Sequence, residues 1–254
     1  MRALRPLLYF VVALLIALIA FNFFYPFTPI ADRTATYDRR VYLSWGFPFL
    51  VRYYLLEPED YDPNRSYPLV VVLHGASKNA YAAYALADDR LRDDYPAFVV
   101  VPMAPVFRDW ALPDEPEFQD AWFPAIGLAA NIAKEVASEY AIDPDRIYVT
   151  GTSTGGFGTF AAPIEYPDLF AAAVPIAGGW TTKDADLFPD IAVWAWHDRN
   201  DDQVPAHYTR DFIGKLRING IDAKYSEVTG YGHGSWRAAY DDPALWRWLF
   251  NQSR

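Results

Sequence analysis

Short apolar runs alternate with longer mixed stretches along most of the chain. Runs rich in Val, Ile, Tyr and Leu fall at residues 49–56, 69–73, 98–101, 147–150, 171–176, 191–196 and 223–228. Runs of this length and composition, bounded by turn-forming residues, predict strands. Helix-like patterning fills most of the gaps, at 80–94, 127–140, 156–166, 206–219 and 243–250. Strands alternating with helices predict an α/β fold, with a mostly parallel central sheet flanked by helices. The unbroken Leu69-Val70-Val71-Val72-Leu73 fits, because a parallel strand is buried on both faces. Ligands in such sheets bind beyond the carboxyl ends of the strands, so the residues just after each strand are where chemistry is expected. The stretch 110–123, with Pro113, Asp114, Glu115 and Pro116 inside, runs over that end as a candidate lid or a plain surface loop.

The N-terminus breaks the alternation. Residues 7–24 are apolar except for Asn22 and follow Arg2 and Arg5. The aromatic flank Phe21 to Phe27 favours an uncleaved membrane anchor over a removed signal segment, which would want small residues there. Basic residues before the apolar run would keep the N-terminus cytoplasmic and put the remainder on the extracytoplasmic side, periplasmic or extracellular, or secreted if the segment is cleaved. The expected division is therefore 1–30 as the N-terminal segment and 31–254 as one domain without repeats or linkers, expected to be a monomer.

Composition narrows the function. With 52% hydrophobic and 17% aromatic residues, the chain can bury a large core. Its net charge is −10, and −12 (20 − 32) after residue 30, which disfavours nucleic acid and anionic headgroups and favours a neutral or cationic partner. The absence of cysteine excludes disulfides, thiolate zinc sites and a cysteine nucleophile. Four histidines, His74, His197, His207 and His233, include no His-x-x-x-His pair, so no metal and no cofactor is expected.

The strand at 147–150 runs directly into Gly151-Thr152-Ser153-Thr154-Gly155-Gly156 and then a helix. This is G-x-S-x-G in the strand, sharp turn, helix context of a nucleophile elbow. The turn strains the serine backbone, and small residues two before and two after it make room. The helix N-terminus beneath favours a developing anion. In that context the partners follow in the order Ser, Asp or Glu, then His, each after a later strand. The strand at 191–196 ends in His197-Asp198-Arg199-Asn200-Asp201-Asp202, and Asp-x-x-Val-Pro favours Asp201 over Asp198 and Asp202. The strand at 223–228 leads to Gly232-His233-Gly234, whose glycines suggest a flexible, exposed perch for a base. Ala76, after the strand at 69–73, and Thr154 are the expected oxyanion-hole amides. Trp180, His74 and Trp236 are candidate substrate contacts and Trp110 a further one, with core packing the commoner role of a tryptophan and internal bracing that of His74.

Tyr67-Pro68 through His74-Gly75, Asp143-Pro144-Asp145-Arg146, Gly151, Ser153, Gly155-Gly156, Tyr166-Pro167-Asp168, Asp201, Val204-Pro205 and Gly232-His233 together resemble the prolyl-oligopeptidase-like branch of the serine α/β-hydrolases, near polyhydroxybutyrate depolymerase-like, feruloyl and acetylxylan esterases. The resemblance covers about residues 49–250. It implies an α/β-hydrolase fold and a Ser153–Asp201–His233 triad. It implies hydrolysis of a small-molecule or oligomeric carboxylic ester, with a peptidase or a catalytically silent, membrane-tethered binding protein as the alternatives. Two positions depart from the pattern: Thr154 stands where relatives carry Met, and Asp198 where they carry Gly.

Overall fold

The computed structural model describes residues 37–44, 50–105, 109–118 and 124–254, with five isolated positions before residue 18. Among the described residues eight strands form one sheet: β1 (Asp38–Leu43), β2 (Leu50–Leu56), β3 (Tyr67–Leu73), β4 (Phe98–Pro102), β5 (Ile142–Thr152), β6 (Ala172–Ile176), β7 (Ala192–Asp198) and β8 (Ala223–Val228). Their order is β1-β2-β4-β3-β5-β6-β7-β8. Pairing is antiparallel from β1 through β2 to β4 and parallel from there to β8. The helices are α1 (Tyr81–Leu86), α2 (Asp89–Asp94), α3 (Ile126–Glu139), α4 (Thr154–Glu165), α5 (His207–Ile218), α6 (Trp236–Tyr240) and α7 (Pro243–Phe250).

The central strands show why the apolar runs are continuous. Every residue of β3 is buried. Leu69, Val71 and Leu73 enter the core on the face covered by α3, α4 and α5, whereas Val70 and Val72 enter the core under α1, α6 and α7. A strand covered on both faces has no polar side to show, so alternation vanishes. Local chemistry fixes the start of α7: Asp242 caps it by accepting the Ala244 amide at 2.8 Å, and Pro243 follows at the first turn where its missing N–H costs nothing.

The structure departs from the sequence expectation in several elements. The expected helix 80–94 is two helices, because Asp88 turns its carboxylate onto the Arg90 amide and caps a new start. β1 was not signalled: Asp38-Arg39-Arg40 opens it and most of it is exposed, as an edge strand tolerates. Of the candidate lid at 110–123, residues 119–123 lie outside the described residues, and 110–118 is fastened down. Trp110 is 1% exposed and donates its indole N–H to the His74 carbonyl, and the Thr181 hydroxyl donates to Glu115 at 2.6 Å, so this stretch is strapped to the body. The N-terminal segment expected at 1–30 lies outside the described residues, apart from isolated positions. Among the described residues no helix is long and apolar enough to cross a membrane.

Candidate active site

The parallel register brings the carboxyl ends of β3, β5, β7 and β8 to one rim. Leu73 pairs with Gly151, setting the loop after β3 beside the start of the turn after β5, and Asp198 pairs with Val228, setting the loops after β7 and β8 side by side.

Ser153 occupies the turn from β5 into α4 with φ 57° and ψ −119°. A residue with a β-carbon adopts this conformation only where the surroundings enforce it. They do so by close approach: a β-carbon on Gly151 would sit 2.5 Å from the Gly155 carbonyl oxygen, and one on Gly155 would collide with the Leu73 carbonyl. The Ser153 amide is tied to the Ile176 carbonyl at 3.0 Å, which leaves Oγ projecting from the rim.

Ser153 Oγ–H donates to His233 Nε2 at 2.8 Å. On the other side of the ring, Nδ1–H donates to Asp201, at 2.8 Å to Oδ2 and 3.0 Å to Oδ1. The Asp201 side chain is fully buried and accepts the amides of Gln203 and Val204 at 2.9 and 3.0 Å. Burial alone would raise its protonation point, but hydrogen bonds from His197, His233 and those two amides outweigh it and hold the carboxyl well below the ordinary range. Asp201 is therefore an anion at any neutral pH.

The other carboxylates of the same loop are used differently. Asp198 is completely buried, and its Oδ2 accepts the amides of Tyr231 and Gly232 at 2.6 and 3.1 Å while Oδ1 accepts that of Asn200 at 2.7 Å. It is an anchor for the loop that carries His233. That anchoring corrects the expectation of a flexible, exposed perch: residues 232–234 form a 3-10 turn, and the His233 side chain is 12% exposed. Asp202 is exposed.

The Ala76 and Thr154 amides have no hydrogen-bond partner among the described residues, whereas the Gly75 and Lys78 amides close the turn after β3 onto the Asn79 and Gly75 carbonyls. Ala76 is exposed and Thr154 begins α4.

Of the three candidate substrate contacts, Trp236 lies at the site. Its ring meets His233 edge to face at 5.7 Å and stacks on Tyr81 at 4.8 Å. His74 does not face a substrate. It is 2% exposed, donates Nδ1–H to the Gly75 carbonyl at 2.8 Å, and accepts the Ala104 amide on Nε2 at 3.0 Å. Burial, with Lys78 nearby, pushes its protonation point down to about 3, so it is a neutral brace. Trp180 is 6% exposed, sits in the core and donates to Asp184 at 3.0 Å; Trp110 braces the loop after β3. Composition alone did not separate these tryptophans, since an indole packs and lines pockets with the same chemistry. Sequence reasoning also missed the structural use of His197 and Asp198. The available signal was two titratable side chains at the end of a parallel strand, which must be buried and therefore paired.

A sheet of this order with a strained serine between strand and helix, and an imidazole and carboxylate on later loops, defines the serine α/β-hydrolase class. The family described as "Putative esterase" matches residues 50–214, and the chain belongs to it. The poly(3-hydroxyalkanoate) depolymerase C of Paucimonas lemoignei is 34% identical over 118 residues, 44% of this chain and 28% of that protein. Acetylxylan esterase A of Emericella nidulans is 27% identical over 133 residues, 52% of this chain and 43% of that protein. The matches thus span less than half the length of these curated relatives. Among solved structures, a thermostable esterase superposes with a TM-score of 0.79 and 31% identity, covering 88% of this chain and 64% of that one. The ferulic acid esterase of Anaeromyces mucronatus, at 18% identity and a TM-score of 0.62 over 85% of this chain and 88% of that one, shares the fold.

Proposed function

We propose that the protein hydrolyses carboxylic esters through an acyl-enzyme on Ser153. The observation that carries this reading is the unbroken hydrogen-bonded series from Ser153 Oγ through His233 to the buried Asp201 anion, mounted on a strained elbow. His233 Nε2 takes the serine proton as Oγ attacks the ester carbonyl. Asp201 holds the ring with its proton on Nδ1 and stabilises the imidazolium that forms. The unpartnered amides of Ala76 and Thr154 are the donors for the oxyanion. The imidazolium then protonates the departing alkoxide, and a water activated by the same ring hydrolyses the acyl-enzyme.

The names of the relatives, a polyhydroxyalkanoate depolymerase and acetylxylan and feruloyl esterases, support an ester whose alcohol or acyl part belongs to a polymer or oligomer. Trp236 stacked on Tyr81 beside His233 supplies an aromatic surface where the alcohol would leave. We place the catalytic body outside the cytoplasm, on the apolar N-terminal segment after Arg2 and Arg5 and on a relative from Arthroderma benhamiae described as a secreted protein, 30% identical over 122 residues.

The test is covalent labelling of the full chain by a fluorophosphonate, followed by turnover of matched p-nitrophenyl ester and p-nitroanilide substrates. We expect labelling and ester turnover in the native protein, and neither in Ser153→Ala with an unchanged melting temperature. Absence of labelling would leave a binding protein on a hydrolase fold, and faster anilide than ester turnover would make it a peptidase.

A further inference from the structure

His197 lies at the carboxyl end of β7 with its side chain fully buried, and both of its ring nitrogens face oxygen atoms. Nδ1 is 2.7 Å from Thr209 Oγ1. The single hydroxyl proton of Thr209 is already committed to the Gly178 carbonyl, so that oxygen is left to accept from the ring. Nε2 is 2.9 Å from the Val204 carbonyl and 3.2 Å from Asp201 Oδ2. A carbonyl has no proton to give, and Asp201 is ionised. A neutral imidazole has one N–H and one lone pair, so either tautomer would aim a lone pair at an acceptor inside a dry site. The doubly protonated ring satisfies every contact, and its charge is matched by the Asp201 carboxylate beside it.

We propose that His197 is held as an imidazolium and acts as a positioning residue, a fourth member of the series Ser153–His233–Asp201–His197 that locks the carboxylate and moderates the basicity of His233. The claim about basicity rests on the hydrolase reading of this site; the claim about protonation does not.

The groups that face His197 are few. The loop after β7 presents Asp201, and across that carboxylate the loop after β8 presents His233. α5 presents the neutral Thr209 and the chain after β6 the Gly178 carbonyl, while Asp198, next along β7, spends its carboxylate on the amides of Asn200, Tyr231 and Gly232. A positive charge on the far side of Asp201 opposes a second positive charge on the His233 ring. Removing that charge has the opposite sign: His233 holds its proton more tightly, and the acid limb of kcat/KM moves to higher pH.

Two measurements test this. In nitrogen-15 correlation spectra of the native full chain at neutral pH, one of the four histidines should show both ring nitrogens protonated, and that signal should vanish in His197→Gln. In the same variant the acid limb of kcat/KM for a p-nitrophenyl ester should rise by on the order of one pH unit. A bare ring nitrogen on His197 in the native protein overturns the proposal, whether or not the variant folds. So does an unmoved acid limb in a folded, labelled variant, since a merely structural role would lower stability or turnover without shifting that limb. If the native protein hydrolyses no ester, the hydrolase reading fails and the spectra still decide the charge on His197.

Discussion

At the scale of single residues, three carboxylates within five positions do three different jobs, and the hydrogen bonds assign them. Asp201 orients the imidazole, Asp198 anchors the loop bearing it, and Asp202 faces solvent. Asp198→Gly should therefore free the 231–232 backbone and let His233 drift. A misplacement near 1 Å costs about 10²-fold, so kcat should fall by that order with KM little changed, as steady-state kinetics will read. Asp201→Asn acts on the ring directly and should cost on the order of 10⁴ in kcat. Because the Asp201 carboxyl is held below its ordinary range, the stability it contributes is present above about pH 3.9 and lost as pH falls through its folded value. His74 works in a higher window. Its folded value of about 3 lies below the ordinary 6.5, so the unfolded chain binds the extra proton first and stability is lost as pH falls between the two. The melting temperature of the native protein should drop across that window, and His74→Gln should flatten the slope by up to about 1.4 kcal/mol per pH unit. An unchanged slope would mean that His74 titrates normally.

At the scale of elements, the elbow and the strap around Trp110 hold the site. Gly155 has no room for a β-carbon against the Leu73 carbonyl, which is backbone of the central strand and cannot retreat. Gly155→Ala should therefore destabilise by more than about 3 kcal/mol and abolish fluorophosphonate labelling, with denaturant unfolding as the measure. Trp110→Ala removes a buried ring and the donor to the His74 carbonyl, and should cost about 3–5 kcal/mol. The loops carrying Ser153 and Asp201 were legible because β5 and β7 end in buried apolar runs, and G-x-S-x-G has a steric reason that the sequence displays; His233 follows the half-exposed edge strand β8 and was legible from its order after the serine and the acid. β1 was not legible, since an edge strand with an exposed face needs no apolar run. Nor was the fixing of 110–118, because its prolines and acidic residues read as solvent-facing while its attachments, Trp110 to His74 and Glu115 to Thr181, join positions far apart in the chain. The Asp198 anchor escaped for the same reason: its partners are backbone amides of another loop, which a sequence pattern does not mark.

At the scale of the whole molecule, the field is set by composition rather than by any contact. A net charge of −10 gives the protein a negative potential at neutral pH. Long-range repulsion slows encounter with anionic substrates and is screened once the Debye length shrinks below the molecular radius, from about 30 Å at 0.01 M salt to about 8 Å at 0.15 M. Short-range acyl-pocket contacts are insensitive to that change. The two effects separate in a matched pair of p-nitrophenyl esters, one with a neutral acyl chain and one ending in a carboxylate. Raising salt across that interval should increase kcat/KM several-fold for the anionic ester and leave the neutral ester nearly constant, with the gain in kcat/KM at unchanged kcat. Equal salt responses for both esters would mean that local positive groups at the rim, rather than the net charge, control approach. A larger response in kcat than in kcat/KM would place the salt effect on the chemical step at His233.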